Sequence, residues 1–415
     1  MLYINNKFLI VKDTENDCNY IINKKTEEKE NINNDLYLLL EYIYIYSPIH
    51  KEDLLEFSEI IDELLLKDIL IDCTFYRKTK NLRVTSSKTL ERVFLELTKQ
   101  CNLHCNHCYN NSNLYEENYL STEDVFSIID EAVKNNVIYF QITGGEPLIR
   151  NDFKEIIEYL FNNGFIITIF SNLTLLTEED AQLMSKYFIH SITSLDFFDK
   201  TSHDLLRGLN GAYDKTLSSI KLLKRFNVPI RINFMINDKN LSELNDLIGL
   251  FKELNCKYIG DLIIPVGRGN KLGQYENLIE ISKLYAYINT ANFKSISDTE
   301  VYITTDYSHI ICYDCKVGTK FIFIDFQGNY ILCPSLRKEH NENFYFGSIY
   351  STQMSDLIPL MSSIDIKCRH FDKCKYYSKC NGGCRSRAYH LSGELNSPDN
   401  ILCNIYNVKE DMFNE

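Results

Sequence analysis

The sequence predicts an α/β protein: six strand–helix units forming a parallel sheet, curled into a partial (β/α)6 barrel or left open. Three textures predict it. Between Leu90 and about residue 300, strand-like runs alternate with amphipathic helical stretches. Residues 1 to about 75 carry short strand runs and then helices, and the chain beyond residue 300 is rich in turns and cysteine. The strand candidates of the middle region are 91–98, 137–142, 165–170, 189–195, 229–235 and 258–264. One connecting helix starts at Ser121, with Asp124 placed for a capping box and apolar residues at Val125, Ile128, Ile129, Ala132 and Val133. Another repeats Phe153, Ile156, Ile157, Leu160 and Phe161 and ends at Gly164, a C-cap signal. The first region opens with strand-like Phe8–Val11 and Tyr20–Ile22, followed by helical Asp35–Ile45 and Lys51–Leu66. Residues 76 to 90, basic around Arg77, Lys78, Lys80, Arg83 and Lys88, read as a solvated linker.

A chain of 415 residues is too long for one ordinary core and suggests two or three domains. Its formal net charge of −13 disfavours phosphate backbones, so no nucleic-acid partner is expected. The N-terminus lacks a charged-then-apolar signal pattern. The most apolar run, Leu36–Tyr46, is too short for a bilayer and is broken by Glu41. No membrane association and a cytoplasmic location are therefore expected. Thiols stay reduced there, so fourteen cysteines ask for metal rather than disulfides. Cys18, Cys73 and Cys256 are scattered and read as small core residues. The other eleven fall into two groups.

The first group, Cys101, Cys105 and Cys108, directly follows the first strand of the middle region. Three thiolates on an iron–sulfur cluster leave one iron open to bind and reduce a second molecule. A zinc site completed by His104 or His107 is the alternative. The position favours the cluster, because loops after barrel strands are where cofactor chemistry sits. Cys-x3-Cys-x2-Cys followed by Tyr109 resembles the signature of the radical S-adenosylmethionine (SAM) superfamily, and that family's later motifs follow in order. Gly144-Gly145-Glu146-Pro147 follows the second strand and resembles the segment that holds the methionine ammonium. Ser171-Asn172 follows the third, with Leu173 where the family often has glycine. Ser194-Leu195-Asp196 ends the fourth and resembles the ribose-side contact. His203-Asp204-Leu-Leu-Arg207-Gly208 matches a segment common in the peptide-modifying branch, and Pro265-Val266-Gly267-Arg268-Gly269 follows the sixth strand as in relatives. The resemblance spans residues 90 to 280 and implies a TIM-like partial barrel. It implies a 4Fe–4S cluster on Cys101, Cys105 and Cys108. It also implies SAM binding by Tyr109, Gly144, Gly145, Glu146, Pro147, Ser171, Asn172, Ser194, Asp196 and Arg207.

The second group, Cys312, Cys315, Cys333, Cys368, Cys374, Cys380, Cys384 and Cys403, resembles the SPASM domain, which holds auxiliary clusters. A pair of zinc ribbons is the alternative. The gap between Cys368 and Cys374 is wider than the family's usual one. The family's interleaving implies one cluster on Cys312, Cys315, Cys333 and Cys384, and another on Cys368, Cys374, Cys380 and Cys403. Without Cys312 the former would have an open iron.

The N-terminal region resembles the PqqD-like peptide-recognition domain, a winged-helix-like α+β unit; a generic winged helix or an oligomerisation module is the alternative. The resemblances imply three domains: 1–80 for leader recognition, 88–300 for the radical SAM core and 301–415 for the auxiliary clusters. They imply a maturase of ribosomally made peptides. It would receive electrons from a flavodoxin or ferredoxin and cleave SAM to a 5′-deoxyadenosyl radical. A Cys sulfur would then be joined to a peptide carbon, as in sactipeptides or ranthipeptides. Carbon–carbon cross-linking and formylglycine formation are the enzymatic alternatives. A non-catalytic electron carrier or zinc-dependent peptide scaffold is the non-enzymatic one. No catalytic base stands out among the many Asp and Glu residues.

Overall fold

The computed structural model describes residues 1–74, 76–86, 89–115, 119–237, 239–271, 317–337, 341–406 and 408. Its N-terminal unit contains β1 (Leu2–Ile4), β2 (Phe8–Asp13), β3 (Cys18–Asn23), β4 (Lys29–Ile32), α1 (Asn34–Tyr46), α2 (Ser58–Leu66), β5 (Leu70–Asp72) and β6 (Leu82–Thr85). Its four-stranded sheet has the order β4-β3-β2-β6. The helices cover it through Tyr37, Leu40, Ile43, Ile61 and Leu64, which pack with Ile10 and Ile21 in one apolar cluster. β4 is an edge strand on which Lys29, Glu30 and Asn31 are exposed.

The expected linker is not a linker. Residues 82–85 form β6 and pair in parallel with β2. Arg83 is buried, donating to the carbonyls of Val137 (2.9 Å) and Asn163 (2.6 Å). These acceptors lie beyond helix ends, where carbonyls lack intrahelical partners. Leu9, Val11 and Ile22 also pack against Ile138, Tyr139 and Ile166 of the central region.

The six expected strands all form: β7 (Arg92–Glu96), β8 (Tyr139–Thr143), β9 (Ile166–Phe170), β10 (His190–Ser194), β11 (Ile230–Ile236) and β12 (Lys257–Leu262). Between them run α3 (Thr122–Lys134), α4 (Phe153–Asn162), α5 (Glu178–Lys186), α6 (Lys200–Arg207), α7 (Ala212–Arg225) and α8 (Leu244–Glu253). The Ser121–Asp124 capping box is present. Neighbouring strands pair in parallel and in sequence order, as repeated strand–helix crossovers dictate. Inward residues of all six strands line one cavity, which requires the sheet to curl.

Beyond residue 316 the described chain forms β13 (Phe321–Ile324), β14 (Asn329–Ile331), β15 (Tyr345–Ser348), α9 (Leu357–Ser362), α10 (Tyr377–Cys380), α11 (Arg385–Ser392) and α12 (Asn400–Ile405). This region does not stand apart. β13 pairs in parallel with β7 and extends the barrel sheet to nine strands. Ile322, Ile324, Met354, Leu357 and Met361 join the main core. Cys256 is buried, as expected of a core residue, whereas Cys18 and Cys73 are only half-buried. Among the described residues no helix is long and apolar enough to cross a membrane.

Candidate active site

The loop after β7 carries Cys101, Cys105 and Cys108 and is held chiefly by backbone contacts. The Cys101 amide donates to Asn113 O (3.0 Å), and the amides of His104 and Asn106 donate to Arg207 O (3.1 Å) and Leu206 O (2.9 Å) at the end of α6. Arg268 Nε donates to Cys105 O (2.7 Å) and Nη1 to Ser112 O (3.0 Å), while its amide donates to Cys108 O (3.0 Å). Three glycines permit these close approaches. A Cβ on Gly145 would stand 2.0 Å from Gln100 O, one on Gly208 2.6 Å from His104 O, and one on Gly267 2.5 Å from Cys108 O. The glycines of the Gly-Gly-Glu-Pro segment thus serve first to bring β8's loop against the protein's own cysteine loop.

Glu146 is fully buried. Its carboxylate accepts from Ser171 Oγ (2.7 Å), the Asn172 amide (2.8 Å) and the Leu148 amide (3.2 Å), at the start of a short turn containing buried Pro147. Burial pushes its pKa up to about 7 against those hydrogen bonds. Asn172 continues the chain of contacts, donating to Asn102 Oδ1 (3.0 Å) and lying 3.9 Å from Cys101 Sγ. Leu173 keeps the turn that glycine would make easily: its φ is +60°, its side chain is buried, and its amide donates to Ser171 Oγ. Packing of an apolar side chain here outweighs a strain of order 1 kcal/mol.

The fourth strand delivers Asp196, just past Ser194, into a locked position. Its Oδ2 accepts from Arg207 Nε (2.8 Å) and Nη2 (2.5 Å), its Oδ1 from the Met235 amide (2.9 Å), and its own amide donates to His203 Nδ1 (3.2 Å). Burial works against ionisation, yet Arg207 and these donors hold the carboxyl below its ordinary range. Arg207 Nη1 also lies 3.9 Å from Cys105 Sγ. The His203–Gly208 segment is therefore a bracket joining Asp196 to the cysteine loop.

Of the three thiols of this loop, Cys101 and Cys105 are buried and Cys108 is half-buried. Cys101 is pushed up to about 12 by burial and by nearby Glu146, Cys105 and Cys108; Cys105 is raised by burial and partly offset by Arg207. Tyr109, whose phenol burial also raises, stands within electrostatic reach of Glu96, Arg337, Cys108 and Cys333. Sequence reasoning missed the network beneath it. Glu96 at the end of β7 is fully buried and pairs with Arg337 (3.2 Å); Arg337 donates to Asn110 Oδ1 (2.8 Å), and Asn110 donates back to Glu96. A charged residue closing an apolar strand was the available signal.

Farther along, Cys368, Cys374, Cys380 and Cys403 line one small cavity of about 20 Å³ with Tyr376, Tyr377 and Leu402. Cys403 is pushed up to about 12 by burial, Asp399 and the other three thiols. Cys333 lies apart from them, near Cys384, and is pushed up to about 11 by burial and that neighbour. Cys312 and Cys315 lie outside the described residues. Asp399 organises this end. It accepts from Arg387 (2.6 Å) and the Cys384 amide (2.9 Å), fully buried, and caps α12.

Residues 95–251 match the family model described as the radical SAM superfamily. This stretch is a radical SAM domain. The chain is 27% identical to the AdoMet-dependent heme synthase of Methanosarcina barkeri over 72% of this chain and 92% of that one. It is 26% identical to the antilisterial bacteriocin subtilosin biosynthesis protein AlbA of Bacillus subtilis, over 71% and 68%. Its fold matches the crystal structure of Streptococcus suis SuiB bound to precursor peptide SuiA, with a TM-score of 0.63 and 16% identity over 96% of this chain and 99% of that one. The cofactors of a radical SAM enzyme are a 4Fe–4S cluster and SAM. The residues present fit them: three thiols share one loop, with no fourth cysteine in it and a buried cation, Arg207, alongside. Among the described residues no three His, Cys, Asp or Glu side chains converge tightly enough for a single metal ion. The fit therefore rests on the donor set and on its place in one loop, with Cys101 and Cys105 buried.

Proposed function

We propose that this radical SAM enzyme matures a ribosomally made precursor peptide by joining a Cys sulfur to a peptide carbon. Cys101, Cys105 and Cys108 would hold the reducing cluster. Gly144 to Pro147, Ser171, Asn172, Ser194 and Asp196 would shape the SAM side, with Tyr109 and Arg207 beside the cluster loop. A reduced cluster and SAM, when bound, supply a 5′-deoxyadenosyl radical that can remove hydrogen from carbon. Arg207 positions Asp196 and the Cys105 loop together, and Glu146 fixes the loop that carries Asn172. Cys368, Cys374, Cys380 and Cys403 would hold one auxiliary cluster, and Cys333 and Cys384, with Cys312 and Cys315, another. Anaerobic reconstitution should then give roughly twelve irons per chain, four for each cluster.

The peptide reading is carried by the N-terminal sheet, whose edge strand β4 is open and polar. An extended leader can add to such an edge through main-chain hydrogen bonds. The likeness to AlbA and to peptide-bound SuiB supports it. Domain limits of 1–80, 88–300 and 301–415 are proposed with it, the first moved to Thr85 to include β6. The test uses the short Cys-rich peptide expected to be encoded beside this chain. Adding it should slow hydrogen exchange at β4 amides and yield a product lighter by two hydrogens with a blocked thiol. Unchanged exchange at β4 would remove the leader-docking assignment; a product that keeps its free thiol would remove the thioether.

A second reading comes from the heme synthases among the relatives, which match nearly their whole length. It predicts haem release from a porphyrin precursor and no response to any peptide.

A further inference from the structure

The end of the barrel opposite the cysteine loop holds a second chamber. Inward residues of β7, β9 and β13 form an aromatic layer, with the rings of Phe170, Phe321 and Phe323 lying 5.0, 5.8 and 5.2 Å from that of Phe94. Toward the strand starts lies an open cavity of about 1040 Å³, walled by Arg92, Tyr139, Gln141, Thr168, His190 and Arg231. The β3–β4 turn, residues 25–28, covers it from the N-terminal unit.

The charge in this chamber is unusual for so acidic a chain. Arg92 lies over the Tyr139 ring (4.9 Å), and Arg231 Nε donates to Asn233 Oδ1 (3.2 Å). Neither makes an ion pair among the described residues. Burial, and after Glu27 the like charge of Arg92, act on Arg231, whose pKa is lowered. Lys224 and Lys252 add positive charge at the rim. The carboxylates on the wall are Glu27 and Glu28, and Asp261 lies within electrostatic reach of Arg231. Glu27 sits at the tip of the turn with φ +60°, 43% exposed and 3.9 Å from His190 Nε2. Two guanidiniums sharing a walled cavity without a carboxylate in contact carry an electrostatic cost that an anion would remove. Their forked donors match phosphate oxygens, and a walled cleft of one sign concentrates such ions.

We infer that this chamber binds a small multivalent anion of the phosphate class, held between Arg92 and Arg231, with the Glu27 carboxylate as its displaceable competitor. The inference does not depend on the peptide reading.

Isothermal titration of the reconstituted enzyme with inorganic pyrophosphate, at constant ionic strength set with sodium chloride, should show saturable binding near one per chain. Arg231→Gln or Arg92→Gln should weaken it about tenfold or more, as losing a charged hydrogen-bond donor does. Glu27→Gln should tighten it severalfold, an opposite sign that general damage to the fold cannot produce. ADP in parallel tells a phosphate ester from a free anion, since tighter binding of ADP assigns the chamber to the ester. Excess SAM should leave the titration unchanged. Absence of saturable binding, displacement by SAM, or equal affinity in the arginine and Glu27 variants would overturn the inference.

Discussion

The two cysteine regions offer the same thiol side chains on different supports. Cys101, Cys105 and Cys108 sit on one short loop whose shape is set by backbone bonds to α6 and by Arg268. No side chain of that loop needs a metal for the loop to hold its course. The cavity of Cys368, Cys374, Cys380 and Cys403 gathers its thiols from separate short helices and turns. Its described anchor is the buried Asp399–Arg387 pair. The first region is prepared by the barrel's backbone, whereas the second is gathered by the Asp399–Arg387 pair, by packing of Ile401 and Leu402 on the core, and by whatever the thiols hold. A site of the second kind makes cluster binding and folding one event.

The sharpest break in the comparison is Cys101→Ala. It should abolish 5′-deoxyadenosine formation, read by chromatography, and lower iron by roughly four per chain. The protein should stay soluble, because the sulfur accepts only weakly, from the Leu103 amide (3.4 Å) and Asn172 (3.9 Å), while backbone bonds to α6 and Arg268 hold the loop. Asp399→Ala tests the other side. Leaving Arg387 buried and unpaired should cost about 3–5 kcal/mol in denaturant unfolding, with iron lost from the C-terminal region and SAM cleavage persisting in the folded fraction. Equal loss of SAM cleavage in the two variants would show that the regions are not independently supported.

A smaller effect probes the turn beside the first region. Leu173→Ala should cost about 2–5 kcal/mol through the cavity it leaves. Leu173→Gly should cost about 1 kcal/mol less than the alanine variant, because φ at this position is positive. If alanine proves the milder change, left-handed strain is not what the turn stores. The smallest effect lies outside both regions. Lys24 is buried, its Nζ donates among the described residues only to Asn81 Oδ1 (2.8 Å), and its pKa is held well below the ordinary lysine value by burial. Between that lowered value and about 10.4 the unfolded chain holds a proton that the folded chain gives up, so stability should rise with pH there. Lys24→Met should remove this slope and stabilise by about 1 kcal/mol, the usual scale of one buried change. A variant that keeps the slope assigns it to another group.

Much of the architecture was legible in residue order. Period-two and helical patterning located β7 to β12, and a glycine, a capping box and a run of apolar residues each act over a few residues of chain. The cysteine loop was legible for the same reason, since Cys101, Cys105 and Cys108 lie within eight residues. Other features depend on distant partners. Residues 82–85 looked polar and free because nothing local reveals that Arg83 will meet carbonyls of residues 137 and 163. The glycines of 144–145 suggested close approach, but only the fold shows that the thing approached is the protein's own backbone at residues 98–100.

The sequence by itself determined the six-stranded parallel sheet, the family's motif order and the thiols available, because these follow from local periodicity and spacing. The tertiary structure decided that β13 completes the barrel sheet beside β7, and that Glu96, Asn110 and Arg337 share one buried network. It also placed Arg92 and Arg231, 139 positions apart, on one chamber wall. Charges become partners or competitors through distance and dielectric in space, and separation along the chain fixes neither.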